Sequence, residues 1–163
     1  MTDFPSINYI DWTRSRYPDT PPYRWAENAE APFTPLPKRL RDATLALVTS
    51  GGVHHVDQPP FNAVKNDLTY RELPRSVDYA DLRITHYNQY SRRGPAGSDF
   101  NCVFPMQRLL ELERDGIVGA VAATAYSFMG RCFLRTELRE LLAPALMDCV
   151  RAEGADAVLF VPA

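Results

Sequence analysis

The sequence has no apolar segment long enough to cross a membrane. Such a segment needs roughly 18 consecutive apolar residues, and no run here approaches that length. The first residues also lack the basic stretch and the apolar stretch of a secretory leader, so we expect a cytoplasmic protein. The formal net charge is −2 and no basic stripe occurs, which argues against nucleic acid as a partner.

Cysteine is scarce. Cys102, Cys132 and Cys149 form no C-x-x-C pair and are too few for a closed zinc site, so we expect reduced thiols. Cys149 falls on an apolar helix face, as a core residue would. Cys102 shortly precedes a predicted helix, whose N-terminus favours the thiolate, but its neighbours are apolar. A reactive thiol and a buried, inert thiol therefore both stay open for Cys102.

The first 40 residues differ from the rest. They contain seven of the fourteen prolines and both tryptophans. Proline blocks helices, whereas disordered tails are usually poor in aromatic residues. Residues 1–40 are therefore predicted to be an extended arm that packs on its own domain or on a partner subunit. Residues 41–163 have the composition and length of one globular domain.

The patterns in this domain alternate between strand and helix. Pro105 and Gly116 mark the ends of one helix; Thr136 caps a second, Pro144 kinks it and Gly154 ends it. The order predicts an α/β domain with a Rossmann-like or flavodoxin-like open, mostly parallel sheet and helices on both faces. The predicted strands are 44–49, 67–73 at an edge, 81–85, 117–124 and 157–161.

Polar residues follow several of these strands. Ligands of an open parallel sheet bind beyond the carboxyl ends of the strands, which makes these residues the candidate site. A neutral histidine can act as a general acid or base near pH 7, so His54 and His86 are the candidate catalytic residues, with an ordinary loop histidine as the alternative for each. The candidate substrate-binding residues are Ser50, Gly51, Gly52, Asp99, Asn101, Ser127 and Gly130.

Three details of this site stay open. The Gly51–Gly52 pair is expected to form either a backbone nest for a carboxylate or a tight turn that needs positive φ. On an extended backbone, His54 and His55 point in opposite directions, so one of them at most faces the crevice. A metal site built from these histidines and an aspartate is a competing hypothesis, but no H-x-x-H spacing supports it, and we predict none.

Several segments, taken in order, resemble the selenoprotein B family of glycine, sarcosine, betaine and D-proline reductases. The resemblance covers about residues 40–163. The strand that ends at His86 is one of its parts. The other segments are 45–54, 67–74, 99–105, 108–119, 127–130 and 153–162.

This resemblance implies reductive cleavage of a carbon–nitrogen bond in a small amino acid or betaine, with a dithiol as electron donor. It implies a partner subunit with a pyruvoyl group, while this chain itself carries no cofactor. It also implies a selenocysteine or cysteine nucleophile just after the strand at 157–161. The sequence ends at Ala163 without it. We expect either a UGA codon there or a short protein completed by a partner chain or a second copy.

Three functions are therefore considered. The first is a reductase-type subunit whose crevice holds a small amino acid or carboxylate, or a partner's cofactor, and which assembles with other reductase subunits or with itself. The second is a non-catalytic module that binds a small carboxylate or supports assembly. The third is an isomerase-like α/β enzyme that uses Cys102 or Cys132.

Overall fold

A computed structural model describes residues 9–19, 29–30, 33–86 and 99–163. The chain divides into two units, Met1–Pro35 and Leu36–Ala163. In the first unit, helix α1 (Tyr9–Arg16) replaces part of the predicted extended arm. The two prolines nearest this helix, Pro5 and Pro18, both lie outside it, so nothing blocks its backbone hydrogen bonds. The rest of the arm prediction falls largely on residues outside those described.

The main sheet of the second unit is built around strand β1 (Thr44–Thr49). Parallel strand β7 (Ala157–Val161) pairs with one edge of β1. The other edge pairs first with β5 (Ala120–Val121) and then with β6 (Thr124–Phe128), both parallel to it. Strand β3 (Tyr70–Pro74) lies antiparallel outside β6. The predicted mostly parallel α/β sheet is therefore confirmed, as is an edge strand close to 67–73.

One helix packs on each face of this sheet. Helix α2 (Met106–Arg114) contributes Met106 and Leu109 to a buried cluster with Leu47 of β1. On the opposite face, a helical segment consists of α3 (Arg135–Glu137), a π-helical turn (Leu138–Leu142) and α4 (Ala143–Ala152). Strand β1 is buried from both sides, as expected for its continuous apolar run.

The sequence misplaced the strand expected at 117–124. The chain there forms the short β5, a break, and then β6. Two carboxylates occupy the backbone donors around the break: Glu113 accepts from Val121 N at 2.7 Å, and Glu153 accepts from Ala123 N at 2.9 Å. These contacts interrupt the ladder, so the strand resumes at Thr124.

The segment expected at 81–85 is a strand, but it does not belong to the main sheet. Strand β4 (Leu82–Ile84) pairs antiparallel with β2 (Val53–His55) in a separate two-stranded sheet. This small sheet supplies Val53 and Leu82 to the cluster beneath α2. Through these two residues it packs on the α2 side of the main sheet.

The second helical segment also differs from expectation. Its N-cap is Leu134 rather than Thr136, without a side-chain cap bond. Pro144, which was expected to kink the helix, lies in the first turn of α4, directly after the π-helical turn. Gly154 ends the helix with φ of 67°, as predicted. Among the described residues, none of the helices combines the length and apolar character that a bilayer-spanning helix requires.

Candidate functional site

Ser50 ties together three strand ends at the carboxyl edge of the sheet. It directly follows β1 and is almost fully buried. Its N–H donates to Val161 O at 3.0 Å, and its hydroxyl accepts from Ala163 N at 2.9 Å. Its carbonyl accepts from Gly130 N at 2.9 Å. Ser50 and Gly130, both predicted for the site, are therefore in direct contact.

The Gly51–Gly52 pair forms a tight turn. Gly51 N–H donates to Thr49 Oγ1 at 3.1 Å, and Gly52 N–H donates to Phe128 O at 2.9 Å. Gly52 has φ of 62°, and a Cβ on it would lie 2.3 Å from Thr85 O. The geometry matches the turn rather than the anion nest, because both N–H groups already have protein acceptors.

His54 is buried in β2, and each of its ring nitrogens has a partner. Only 6% of its surface is exposed. Nδ1 lies 3.0 Å from His55 O, and since a carbonyl only accepts, Nδ1 carries the proton of the neutral ring. Nε2 lies 3.0 Å from Thr85 Oγ1 and accepts from that hydroxyl. The ring also makes an edge contact with Phe61, with centroids 6.2 Å apart.

His55 and His86 have different surroundings from His54. Along β2, His55 alternates to the other side, where Asp57 and Asp81 lie 3.4 and 3.8 Å from its ring nitrogens. His86 is half-buried and follows Thr85, the residue that binds His54. Within the described residues, no group of three or more potential metal ligands lies together.

The side chains of Asp99 and Asn101 hydrogen-bond to each other within the turn that contains them. Asp99 caps a 3₁₀ turn (Phe100–Cys102), where its carboxylate accepts from Asn101 N and Nδ2, both at 2.9 Å. The backbone bond from Asn101 lowers the pKa of Asp99. Asn101 also contacts Gln107 and Tyr79 at 3.0 and 3.3 Å. Their polar atoms are thus engaged locally rather than with the histidines.

Ser127 lies inside β6 and not after a strand end, which corrects its expected position. Its Cα pairs with Thr49 of β1 on one side and with Arg71 of β3 on the other. Ser127 is completely buried, and its hydroxyl has no hydrogen-bond partner. A buried hydroxyl without a partner is uncommon in folded proteins and calls for an explanation.

Sequence reasoning missed four residues around this site. Thr49 Oγ1 donates to Val103 O at 2.7 Å and thereby joins β1 to the segment before α2. Thr85 binds His54, and the Arg71 guanidinium lies 4.3 Å from the centre of the Phe61 ring. Thr49 was hidden within an apolar run, whereas the positions of the other three depend on chain segments far apart in sequence.

The three cysteines differ in exposure and surroundings. Cys102 is exposed, so the buried alternative is wrong for it. Cys149 is half-buried on α4, and its sulfur lies 3.4 Å from Tyr70 Oη. Cys132 is half-buried in the loop after Gly130. Among the described contacts of His54 there is no cysteine.

Comparison with known proteins identifies a relationship to one reductase. The chain is 33% identical over 142 residues to D-proline reductase subunit gamma of Acetoanaerobium sticklandii. The chain is a relative of a reductase subunit. The match covers 87% of this chain and 54% of that protein, so the chain spans about half the length of this curated relative.

Other comparisons add no further relationship. No family profile matches the sequence of this reductase-related chain. No solved structure matches it either. Its fold is therefore described from its own topology: a mostly parallel sheet between helices, with a small antiparallel sheet beside the carboxyl end of β1.

Proposed function

We propose that this chain is a subunit of a reductase that cleaves the carbon–nitrogen bond of a small amino acid or betaine, with D-proline as the first substrate to test. The similarity to D-proline reductase subunit gamma is the observation that carries the proposal. The buried polar groups at the carboxyl end of β1 support it, because this is where open parallel sheets bind ligands.

The reaction is a two-electron reduction. The bond between carbon and nitrogen breaks, one new C–H bond and one new N–H bond form, and a dithiol is oxidised to a disulfide. With D-proline, cleavage between Cα and nitrogen opens the ring, so the amine stays attached to the product. The pyruvoyl group implied for a partner subunit would supply an electrophilic carbonyl there, and we assign no residue of this chain to hold it.

Within this chain, we propose that His54 moves a proton at Nε2. Its Nδ1–H is fixed by His55 O, which leaves Nε2 to exchange a proton through the Thr85 hydroxyl. His86, next to Thr85, is proposed as the second catalytic histidine. Ser127 is proposed to contact substrate, whereas Ser50, Gly51, Gly52 and Gly130 shape the crevice wall. Asp99 and Asn101 stay as proposed substrate-binding residues.

The proposed partners are other subunits of the same reductase. Among the strands that the structure describes, β7 pairs only with β1, and several of its apolar side chains are exposed. Val158, Leu159 and Phe160 are 39%, 36% and 53% exposed. An edge strand without charged side chains can pair with a strand of another chain. Such pairing would suit a subunit of a larger enzyme. Pairing with a second copy is the alternative assembly.

A non-catalytic role is the second candidate. It is favoured by one observation, namely that no cysteine is among the described contacts of His54. In this alternative, the chain binds a small carboxylate or supports assembly without providing a nucleophile.

The test combines the purified chain with the remaining reductase subunits of its own organism. We expect no dithiol-dependent consumption of D-proline by the chain alone. We expect the chain to co-elute with the other subunits and to change their turnover. Turnover by the isolated chain would contradict the dependent-subunit proposal. Failure both to associate and to alter turnover would remove the reductase assignment.

A further inference from the structure

Several contacts hold the Arg71 guanidinium in one orientation. Two of its three nitrogens donate to described acceptors. Nε donates to Pro59 O, and Nη1 donates to Tyr70 O and to Thr69 Oγ1, each at 2.9 Å. The flat group also stacks on the buried Phe61 ring, 4.3 Å from its centre. The described contacts of Arg71 include no acceptor for its other terminal nitrogen, Nη2.

Ser127 is the neighbour of Arg71 in the next strand. The two residues are paired across β3 and β6. Leu73 and Ala125 belong to the cluster beneath α2, and alternation along each strand places Arg71 and Ser127 on that same face. Ser127 is completely buried and its hydroxyl is unpartnered. Two cross-strand neighbours on one face of the sheet therefore each have a donor for which the described residues supply no acceptor: the Ser127 hydroxyl and Arg71 Nη2.

Asp67 is an acidic residue near Arg71, and its carboxylate binds groups of the chain before β3. The carboxylate accepts from Asn62 N at 2.7 Å and from Thr69 N at 2.9 Å, and it also binds the Thr69 hydroxyl. Asp67 therefore orients Thr69, which in turn accepts from Arg71. The described contacts of Asp67 do not include Arg71 Nη2, so this nitrogen has no acceptor from the acidic group beside it.

We propose that Arg71 binds the carboxylate of the substrate and that the Ser127 hydroxyl donates to the same group. This assignment rests on the proposed function and names the feature of the substrate that the site recognises. Nη2 has two N–H donors and shares the positive charge of the guanidinium, which suits a carboxylate oxygen, and stacking on Phe61 restricts the motion of the arginine. Phe61 also contacts His54, which connects the carboxylate site to the proposed proton-transfer residue.

The first experiment measures binding to the purified chain by calorimetry, with D-proline and D-prolinamide as probes. We expect D-proline to bind and the amide, which lacks the carboxylate, to bind about tenfold or more weakly. R71Q should remove this preference, and R71K should restore part of it because the charge remains. R83Q is the control, since the Arg83 side chain donates, among the described residues, to the backbone carbonyls of Ala80 and Leu82.

A second variant separates binding from structure. S127A removes a buried hydroxyl that has no partner, so it should raise the melting temperature of the free chain while weakening D-proline binding. A purely structural serine would not give these opposite effects. Equal affinity for acid and amide, equal effects of R71Q and R83Q, or no D-proline binding by the unmodified chain would each overturn the assignment. Assembly with the reductase subunits could still succeed in those cases, so failure here is distinguishable from failure of the proposed function.

Discussion

Glu113 of α2 binds the guanidinium of Arg75 through both carboxylate oxygens. Arg75 also donates to Val121 O at 2.6 Å, and Glu113 accepts from Val121 N at 2.7 Å. Both side chains are only partly exposed, at 34% and 24%. The pair joins the end of β3 to α2 and to the break between β5 and β6. The hydrogen bond from Arg75 lowers the pKa of Glu113.

The first prediction concerns the acid sensitivity of this pair. A carboxyl whose pKa is lower in the folded state stabilises the fold above its unfolded pKa, about 4.3, and loses this contribution as pH falls through the folded value. We expect E113Q to lower the free energy of unfolding by about 1.5 to 3 kcal/mol at pH 7, measured by urea unfolding. The difference in the free energy of unfolding between the wild-type chain and E113Q should become smaller toward about pH 3.

Glu111 provides the control for this prediction. It lies in the same helix and forms an exposed pair with Arg108 at 2.9 Å. Such pairs contribute little, so E111Q should cost less than about 1 kcal/mol and show little dependence on pH. Equal costs for E111Q and E113Q would contradict the role assigned to the Arg75 contact.

The second prediction compares two glycines whose backbone has positive φ, in the left-handed region. Gly52 and Gly116 have φ of 62° and 70°. A Cβ on Gly116 meets no atom within 4 Å, whereas one on Gly52 lies 2.3 Å from Thr85 O. G116A should therefore cost about 1 to 2 kcal/mol for the left-handed backbone alone. We expect G52A to cost clearly more or to prevent folding, as thermal unfolding would show. Similar costs would mean that the turn relaxes easily.

The third prediction concerns Tyr126, which lies on the α4 face of the sheet. Burial, followed by the nearby negative charge of Glu153, raises its pKa to about 12. Ultraviolet titration of the folded chain should therefore show a late tyrosinate step near that pH, which Y126F removes. Y17F, which deletes an exposed tyrosine, should leave the late step intact.

The raised pKa of Tyr126 also determines how its contribution to folding stability changes with pH. Because the folded pKa lies above the unfolded value of about 10, the protonated ring stabilises the fold below that pH. This contribution is lost as pH rises toward 12. The wild-type chain should therefore lose more stability than Y126F between about pH 10 and pH 12, the unfolded and folded pKa values of Tyr126. Parallel curves for the two proteins would contradict the assignment.

Part of the candidate site could be predicted because its signals are local. The apolar run of β1 and the glycines behind it placed Ser50, Gly51 and Gly52 at the carboxyl end of the sheet. Ser127 was misplaced because the alanine-rich stretch before it also has strand character. What interrupts that stretch is a pair of carboxylates, Glu113 and Glu153, delivered by two helices. No local sequence pattern predicts such contacts.

The sequence by itself determined the elements whose ends are marked by neighbouring residues: β1, β7, and α2 between Pro105 and Gly116. Propensity, proline and glycine act within a few residues, so these boundaries follow from the chain alone. Only the tertiary structure decided that β4 pairs with β2, that Thr85 meets His54, and that Arg71 lies beside Ser127. Those pairings join segments far apart in sequence, and their free energy comes from burial and hydrogen bonds that exist only once the sheet has assembled.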